Sequence, residues 1–321
     1  MKFPVFDLHC DTALTLMGRG SAQRGSLLEN SYHIDLKRAR TLPGYAQCFA
    51  CFTTDLFPLA EDATPEMVFE GEVQTITEEI VVNQDWIRQA FSAEEVEENY
   101  NNGLMSGILT IEGTAGFGFD VSKLPELYQR GFRITTLGWN EKNPLAGSHS
   151  TGGGLTEKGR EYVKEAQRSG MLVDVSHISD EAFWDIMEIT EGPVIASHSN
   201  SRSVCDVSRN VTDEMFLAIC KTGGVVGINL YTDFLGDDAD LNTVCDHILH
   251  FLSLDPSGKH ISLGGDLDGC ESLPQGFNGV EDFAKLADRL LERGLSEDTV
   301  YDIFWNNALE VLKRAVCKYK K

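Results

Sequence analysis

The sequence predicts a (β/α)8 barrel of the TIM type, and three observations support that fold class. Eight short apolar runs alternate with helical segments along the 321 residues. No linker rich in Pro, Gly or Ser and no low-complexity tract divides the chain, so residues 1–321 are expected to form one domain. Polar residues follow the apolar runs at even intervals, which favours the barrel over a doubly wound open sheet.

The first half of the chain supplies four of the predicted strands, at residues 3–8, 45–52, 104–111 and 131–137. Residues 18–42 are polar and lack a clear period, so a long loop is expected there. Residues 66–91 carry apolar side chains at helical spacing, which predicts one long amphipathic helix. A short helix is predicted at residues 122–129.

The second half alternates regularly and supplies the other four strands, at residues 171–175, 193–196, 224–228 and 261–265. Helices are predicted at residues 156–168, after Ser179, after the capping residue Thr212, and at residues 241–252. Two C-terminal helices follow, the second from near Ser296.

The charge of the chain restricts its partners. There are 50 acidic and 27 basic residues, a net charge of −23, which argues against binding to nucleic acid or to an anionic membrane surface. An anionic substrate must then be held by a locally placed Arg or by a metal. No signal peptide or transmembrane span is recognisable, so a cytoplasmic location is expected.

The eight cysteines are expected to be reduced thiols in such a location. Cys48 and Cys51 have the spacing of a redox or zinc pair, but they lie in a strand-like run and no second pair matches them. They are interpreted as buried strand thiols.

Ligand-type residues recur where the predicted strands end, namely His9, Asp11, Glu112, His177, His198 and Asp266. In a barrel all of these ends meet at the C-terminal mouth, where active sites lie. The three His, together with Asp11 and Glu112, exceed what one tetrahedral zinc with an open position requires. The set predicts two metals, with Glu112 as the bridging ligand, that would jointly acidify a water and polarise a carbonyl.

Each residue alone also has a purely structural interpretation. A single His at a strand end is more often a hydrogen-bonding residue, and Asp266 with Asp268 could form a turn. Glu112 could pair with Arg133. The whole set at the ends of several βα units makes the structural interpretation improbable.

Seven segments, taken together in order and spacing, resemble the membrane dipeptidase (renal dipeptidase) family of zinc peptidases over nearly the whole chain. They are DLHCDT at 7–12, IEG at 111–113, LTEKGR at 155–160, GMLVDVSH at 170–177, PVIASHSNSR at 193–202, SRNVTD at 208–213 and GGDLDG at 264–269. The resemblance implies a metallo-dependent hydrolase-like barrel, a bacterial-type soluble member, and a homodimer.

The resemblance also implies roles for individual residues. His9 and Asp11 would bind the first zinc, His177 and His198 the second, and Glu112 would bridge them. Asp266 would lie near the bridging water and the substrate amine, as proton carrier or amine anchor. Arg209 would bind the C-terminal carboxylate of a dipeptide, the alternative being a salt bridge with Asp206 or Asp213.

The sequence departs from the family at Trp139, where the well-studied members carry a His that is thought to hydrogen-bond the substrate carbonyl. An indole donates one hydrogen bond but cannot carry a proton or a positive charge. Trp139 is therefore expected to shape the pocket or to act as a weaker donor, and His149 is a candidate to compensate.

The ligand set and the resemblance together predict a zinc-dependent dipeptidase that uses a metal-bridging hydroxide, and the resemblance implies that it accepts D-residues at the C-terminal position. Two alternatives stay open. One is another amidohydrolase-type enzyme that acts on lactones or acylated amino acids. The other is a non-catalytic protein that binds metal or peptide.

Overall fold

The computed structural model describes residues 2–18, 25–56, 62–315 and 317. The nine strands of its sheet are β1 Val5–Cys10, β2 Tyr45–Phe52, β3 Ile87–Gln89, β4 Met105–Glu112, β5 Phe132–Thr136, β6 Leu172–Asp174, β7 Val194–Ile195, β8 Val226–Ile228 and β9 Ile261–Leu263. The helices are α1 Thr12–Met17, α2 Leu36–Ala39, α3 Pro65–Val82, α4 Ala93–Asn101, α5 Leu124–Gln129, α6 Glu157–Ser169, α7 Asp180–Ile189, α8 Asp213–Thr222, α9 Thr232–Leu235, α10 Leu241–Leu254, α11 Phe283–Glu292, α12 Glu297–Tyr301 and α13 Asn307–Arg314.

Eight of the strands form a nearly closed parallel barrel. They are hydrogen-bonded in the order β7-β6-β5-β4-β2-β1-β9-β8. A parallel bridge between Ala196 and Val226 brings the two ends of this order together. The ninth strand, β3, pairs with the first three residues of β4 and lies off the barrel path. The predicted (β/α)8 fold is confirmed. Because all the barrel strands are parallel, their carboxyl ends lie at the same mouth of the barrel.

The predicted helix over residues 66–91 is wrong in its last third, after residue 82. The helix α3 ends at Val82, and the Asn83 side chain donates a hydrogen bond to the Glu79 carbonyl at 2.8 Å. The chain then turns, and Ile87 pairs in parallel register with Met105. Because this pairing partner lies far along the chain, the local apolar spacing does not reveal it. The helix α4, capped by the Ser92 side chain, was also not predicted.

The predicted loop over residues 18–42 includes residues 19–24, which lie outside the described residues. Its described remainder contains the short helix α2, which begins where the Asp35 side chain accepts a hydrogen bond from the Arg38 backbone.

The thiols of Cys48 and Cys51 are buried within β2, as predicted. Burial raises the pKa of each thiol well above its ordinary value. We expect a thiol-specific reagent to leave both unmodified in the folded protein and to label them only after denaturation. Labelling of either one in the native state, detected by mass spectrometry of peptides, would contradict this arrangement.

Within the described residues, no helix is long and apolar enough to cross a membrane.

Candidate metal centre and substrate pocket

The first ligand pair lies at the end of β1. His9 is in the strand and Asp11 follows it by two residues, so the extended backbone directs both side chains to the same side. The His9 Nε2 atom lies 3.4 Å from Asp11 Oδ2, and both residues are buried.

Glu112 lies between this pair and two further histidines. It is the last residue of β4, and its Oε2 atom lies 3.4 Å from His9 Nε2. Its other oxygen, Oε1, lies 2.9 Å from His177 Nε2 and 3.8 Å from His198 Nε2. One carboxylate therefore faces both ligand groups, which is the geometry that a bridging ligand needs.

The hydrogen bonds of His177 and His198 fix which ring nitrogen carries the proton. His177 Nδ1 lies 2.9 Å from Asn140 Oδ1, an acceptor, so Nδ1 donates. His198 Nδ1 lies 2.7 Å from Ser197 Oγ, whose own proton goes to the Asp174 carboxylate, so this Nδ1 also donates. Both Nε2 atoms therefore keep a lone pair, and they face each other at 2.9 Å.

Asp266 completes the cluster from the segment after β9. Its Oδ1 atom lies 3.7 Å from His9 Nε2, and its Oδ2 atom accepts a hydrogen bond from Asn229 Nδ2 at 2.9 Å. The backbone of Asp266 has φ of 57°, and that of His177 has φ of 72°. Non-glycine residues seldom adopt this left-handed region, and such strain is typical of functional sites.

These side chains fit a metal centre. Carboxylate oxygens converge with the Nε2 atoms of three histidines, of which those of His177 and His198 keep a lone pair, and His9 Nε2 is buried without a hydrogen-bond partner. Such acceptors repel one another unless a cation lies among them. Imidazole and carboxylate donors suit zinc and related divalent metals.

The ionisation of His177 and His198 agrees with this interpretation, whereas His9 must lose a proton to bind a metal. Burial raises the pKa of Glu112 to about 7 against the attraction of His9. Burial also opposes a charge on His9, but Glu112 and Asp11 outweigh it and raise the pKa of the imidazole well above its ordinary value. Burial lowers the pKa values of His177 and His198 well below the ordinary value, so both are neutral, as metal ligands must be.

Gly269 leaves room for the carboxylates of the cluster. A Cβ atom at this position would lie 2.1 Å from Asp11 Oδ2 and 2.6 Å from Asp266 Oδ1. We expect Gly269→Ala to displace both carboxylates and to weaken metal binding roughly 100-fold, since a shift of about 1 Å can cost that factor in a preorganised site. A competition titration with a chromophoric chelator measures the affinity.

Gly192→Ala is the matched control, because an added Cβ there would be 3.6 Å from its nearest neighbour, an ordinary contact. Unchanged metal affinity in Gly269→Ala would show that the carboxylates can move without loss.

A cavity of about 240 Å³ opens over the cluster. Its lining combines carboxylates with aromatic side chains, namely Asp11, Glu112, Asp266, Glu271, Phe52, Trp139, Tyr231 and Phe234. Trp139 forms part of this wall and packs edge-on against Phe52 at 5.1 Å between ring centroids. The volume suits a small polar ligand rather than a long peptide.

Arg209 does not line this cavity but packs against Phe234, which does. It is 4% exposed, its Nη1 atom donates to Ser199 Oγ at 2.8 Å, and its guanidinium lies 5.6 Å from the centre of the Phe234 ring. Its Nε and Nη2 atoms are buried without a hydrogen-bond partner. A buried guanidinium with two free donors is suited to an anionic group of a ligand.

The structural alternatives for Arg209 and Glu112 are not found. No carboxylate of the described residues lies within salt-bridge distance of Arg209, and Asp213 instead pairs with His250 at 2.8 Å. Arg133 donates to backbone carbonyls, including that of Phe91 at 2.7 Å, and not to Glu112.

His149 contacts the cluster through Asn140 and does not line the cavity. Its Nε2 atom lies 2.8 Å from Asn140 Oδ1, the same oxygen that accepts from His177. Burial, together with the charges of Arg209 and Arg202, lowers the pKa of His149 to about 4, so its imidazole is neutral near pH 7.

We expect Asn140→Ala to weaken metal binding by about 10- to 100-fold, because it removes the acceptor that orients His177. His149→Ala leaves that acceptor in place and is expected to weaken metal binding less than Asn140→Ala does. Metal affinity is measured by competition with a chelator. If His149→Ala retains its metal but loses turnover, His149 acts on the substrate, as the sequence hypothesis states.

Several residues of the site were not among the sequence predictions, and Asn140, Asn229 and Gly269 are the ones that contact the proposed ligands or Asp266. Asn229 directly follows β8, so the strand-end rule that selected the ligands applies to it as well. Asn140 and Gly269 lie in irregular segments, where no periodicity indicates their contacts.

The chain is similar to known proteins over its whole length. The family described as "Membrane dipeptidase (Peptidase family M19)" matches residues 1–320. An uncharacterised dipeptidase of Schizosaccharomyces pombe is 33% identical over 303 residues, which are 88% of this chain and 72% of that protein. A second uncharacterised dipeptidase of the same yeast is 34% identical over 226 residues, 68% of this chain but only 55% of that protein. The chain thus spans about half the length of that relative.

A solved structure shares the complete fold. It is a metallopeptidase from Rhodobacter sphaeroides with a bound phosphinate mimic of the dipeptide L-Ala-D-Ala. The two structures superpose with a TM-score of 0.87 at 26% identity, covering 98% of this chain and 99% of the other. The chain belongs to the membrane dipeptidase family, Peptidase family M19, a family of peptide hydrolases.

Proposed function

We propose that the protein is a dipeptidase that binds two zinc ions and hydrolyses dipeptides, including those with a C-terminal D-residue. One observation carries the proposal. A cluster of metal-type ligands lies at a small cavity, and a buried guanidinium with unpartnered donors packs against Phe234 of the cavity wall. Metal ligands alone would suit many hydrolases, whereas a fixed cation for a free carboxylate suits a substrate with its C-terminus close to the scissile bond.

The five ligands would divide into two groups that share Glu112. His9 and Asp11 would hold one ion, and His177 with His198 would hold the other. When bound there, the metals would lower the pKa of a water molecule and polarise the scissile carbonyl.

Arg209 would bind the C-terminal carboxylate of the dipeptide. Its Nη1 atom is fixed by Ser199 Oγ, so the guanidinium is held in place before the substrate arrives. Its Nε and Nη2 atoms present two donors that match the two oxygens of a carboxylate. This contact would select short substrates over longer peptides.

Asp266 would transfer the proton. Asn229 holds its Oδ2 atom, which leaves Oδ1 directed at the cluster. Burial raises the pKa of Asp266, so the carboxyl group holds a proton more readily than an exposed aspartate does. We infer that Oδ1 accepts a proton from the attacking water and donates it to the leaving amine nitrogen.

Acceptance of a C-terminal D-residue is proposed from similarity. The Rhodobacter sphaeroides metallopeptidase binds a mimic of L-Ala-D-Ala within the same fold. In this chain the aromatic wall that includes Trp139 would contact the substrate side chains.

The test is amino-acid release from a panel of L-L and L-D dipeptides by zinc-reconstituted protein, before and after chelation. Free dipeptides are expected to be cleaved, with loss of activity on chelation. The same dipeptides with an amidated C-terminus or an acetylated N-terminus are the controls, and they are expected to be cleaved at least about 100-fold more slowly, because a buried donor left unpaired costs several kcal/mol.

No release from any dipeptide by metal-loaded protein would overturn the proposal. Lactones and acylated amino acids would then be the substrates to examine. Metal binding without turnover of any of these compounds would instead indicate a binding protein.

We further propose a homodimer in the cytoplasm. The dimer rests on the family resemblance alone, and light scattering coupled to size exclusion tests it. The cytoplasmic location is supported by the eight free cysteines, which suit a reducing compartment.

A further inference from the structure

A second group of ligand-type side chains lies away from the pocket. It consists of Cys220, Asp255 and His260, and the three residues offer one ligand atom each within 4.8 Å of one another. Cys220 is near the end of α8, Asp255 follows α10, and His260 precedes β9. His260 therefore lies at the N-terminal end of a barrel strand, opposite the mouth that holds the pocket.

One ring nitrogen of His260 is held by a hydrogen bond, which leaves the other for coordination. Its Nδ1 atom lies 2.7 Å from the Gly224 carbonyl oxygen, which can only accept a hydrogen bond. Nδ1 therefore carries the proton, and Nε2 keeps its lone pair. A backbone carbonyl that accepts from the second nitrogen is the usual support of a metal-binding histidine.

Asp255 and Cys220 lack a protein cation as partner. The Asp255 carboxylate accepts hydrogen bonds from the Ser257 backbone at 3.2 Å and from its hydroxyl at 2.8 Å, which orient it. No Lys or Arg of the described residues forms a salt bridge with Asp255. Burial and the nearby Asp255 charge raise the pKa of the Cys220 thiol to about 12, so the thiol keeps its proton until a cation arrives.

We propose that Cys220, Asp255 and His260 form a third metal site, which binds a borderline divalent cation of the zinc type. The sulfur and nitrogen donors favour zinc or cobalt over magnesium or calcium, which require mainly oxygen ligands. Three protein ligands leave a fourth position for water. On binding, the Cys220 thiol becomes a thiolate and its proton passes to solvent.

The three ligand atoms need to move only slightly closer together to bind a metal ion. Tetrahedral zinc with bonds of about 2.0–2.3 Å holds its ligands less than about 4 Å apart. All three side chains are partly exposed, so rotation about their side-chain bonds can close the difference. The metal would link the ends of α8 and α10 to the start of β9, and its role is structural.

Cobalt distinguishes this site from the pocket. The proposed ligands in the pocket are nitrogen and oxygen atoms, whereas Cys220 would add a thiolate-to-cobalt charge-transfer absorption in the near ultraviolet. The experiment loads metal-free full-length protein with Co²⁺, removes excess metal, and records both the spectrum and the cobalt per chain. Wild type is compared with Cys220→Ser, His260→Gln and the control Cys205→Ser.

Cys205 is a suitable control because it is also partly exposed and has carboxylates nearby, including Asp206 and Asp233. We expect the thiolate absorption in wild type and in Cys205→Ser. In Cys220→Ser the absorption should be absent, and the protein should bind one cobalt fewer per chain than wild type. His260→Gln keeps the thiol and is expected to lose the absorption as well. Because the site is remote from the pocket, Cys220→Ser with a metal-loaded pocket should keep the wild-type turnover of any substrate that wild type cleaves.

The proposal is overturned if wild type shows no thiolate absorption at saturating Co²⁺, or if the absorption persists in Cys220→Ser. Equal cobalt content in wild type and Cys220→Ser would overturn it as well. None of these outcomes depends on whether the protein cleaves dipeptides. If Cys220→Ser does not fold, His260→Gln provides the same comparison.

Discussion

Arg209→Met is expected to lower kcat/KM for free dipeptides by roughly 10²–10³-fold, without unfolding the protein. The guanidinium is 4% exposed and has two donors without partners, so a substrate carboxylate would supply the missing hydrogen bonds. Loss of one partner of a buried charge pair costs about 3–4 kcal/mol, which corresponds to this factor. Met has a similar length and removes a buried charge, so the melting temperature of the substrate-free protein should stay constant or rise.

Arg202→Met is the matched control for this prediction. Arg202 lies on the same segment, but its guanidinium is already paired with Asp180 through two hydrogen bonds of 2.7 and 2.8 Å. Its loss should change kcat/KM by no more than a few-fold. A second comparison uses amidated dipeptides, on which wild type and Arg209→Met should be equally slow. A lower melting temperature for Arg209→Met, with unchanged KM, would show that Arg209 is a structural residue.

The sequence predicted most of the barrel because its strands are short apolar runs bounded by polar residues. The run at residues 45–52 became β2 at the same bounds. The failure at residues 66–91 has a physical cause. Ile87 continues the helical spacing, but its pairing with Met105 stabilises an extended backbone instead. The tertiary structure determines which strand pairs with Ile87, and the local periodicity of apolar residues does not identify that strand.

The residues of the pocket were predictable to the extent that they follow strands. His9 and Glu112 end strands, and parallel strands bring their ends to one mouth. Asn140 orients His177 through a hydrogen bond between residues 37 positions apart. No local sequence pattern indicates a hydrogen bond between residues so far apart. The same holds for Gly269, whose importance lies in the space it leaves for two carboxylates.

Glu112→Gln is expected to remove metal binding and activity together, with a loss of more than about 100-fold in each. The two carboxylate oxygens face His9 and His177 at 3.4 and 2.9 Å, and an amide would present only one acceptor and no charge. Removal of supporting groups already costs 10- to 100-fold at such sites, so loss of a shared ligand costs more. Metal content by plasma mass spectrometry and dipeptide turnover measure the two effects.

The thermal stability of Glu112→Gln separates a metal ligand from a structural carboxylate. Metal binding stabilises the folded state, and a 100-fold weaker affinity removes about 2.7 kcal/mol of that stabilisation at a fixed metal concentration in excess of the dissociation constants. Wild type should therefore melt at a higher temperature than the variant with zinc. In chelator the variant should melt at the same or a higher temperature than wild type, because a buried neutral amide costs less than a buried carboxylate whose pKa burial has raised.

Glu141→Gln is the control, at another buried carboxylate that accepts a hydrogen bond from Thr54, and it should respond to zinc as wild type does. If Glu112→Gln also keeps the full response to zinc, Glu112 does not bridge the metals.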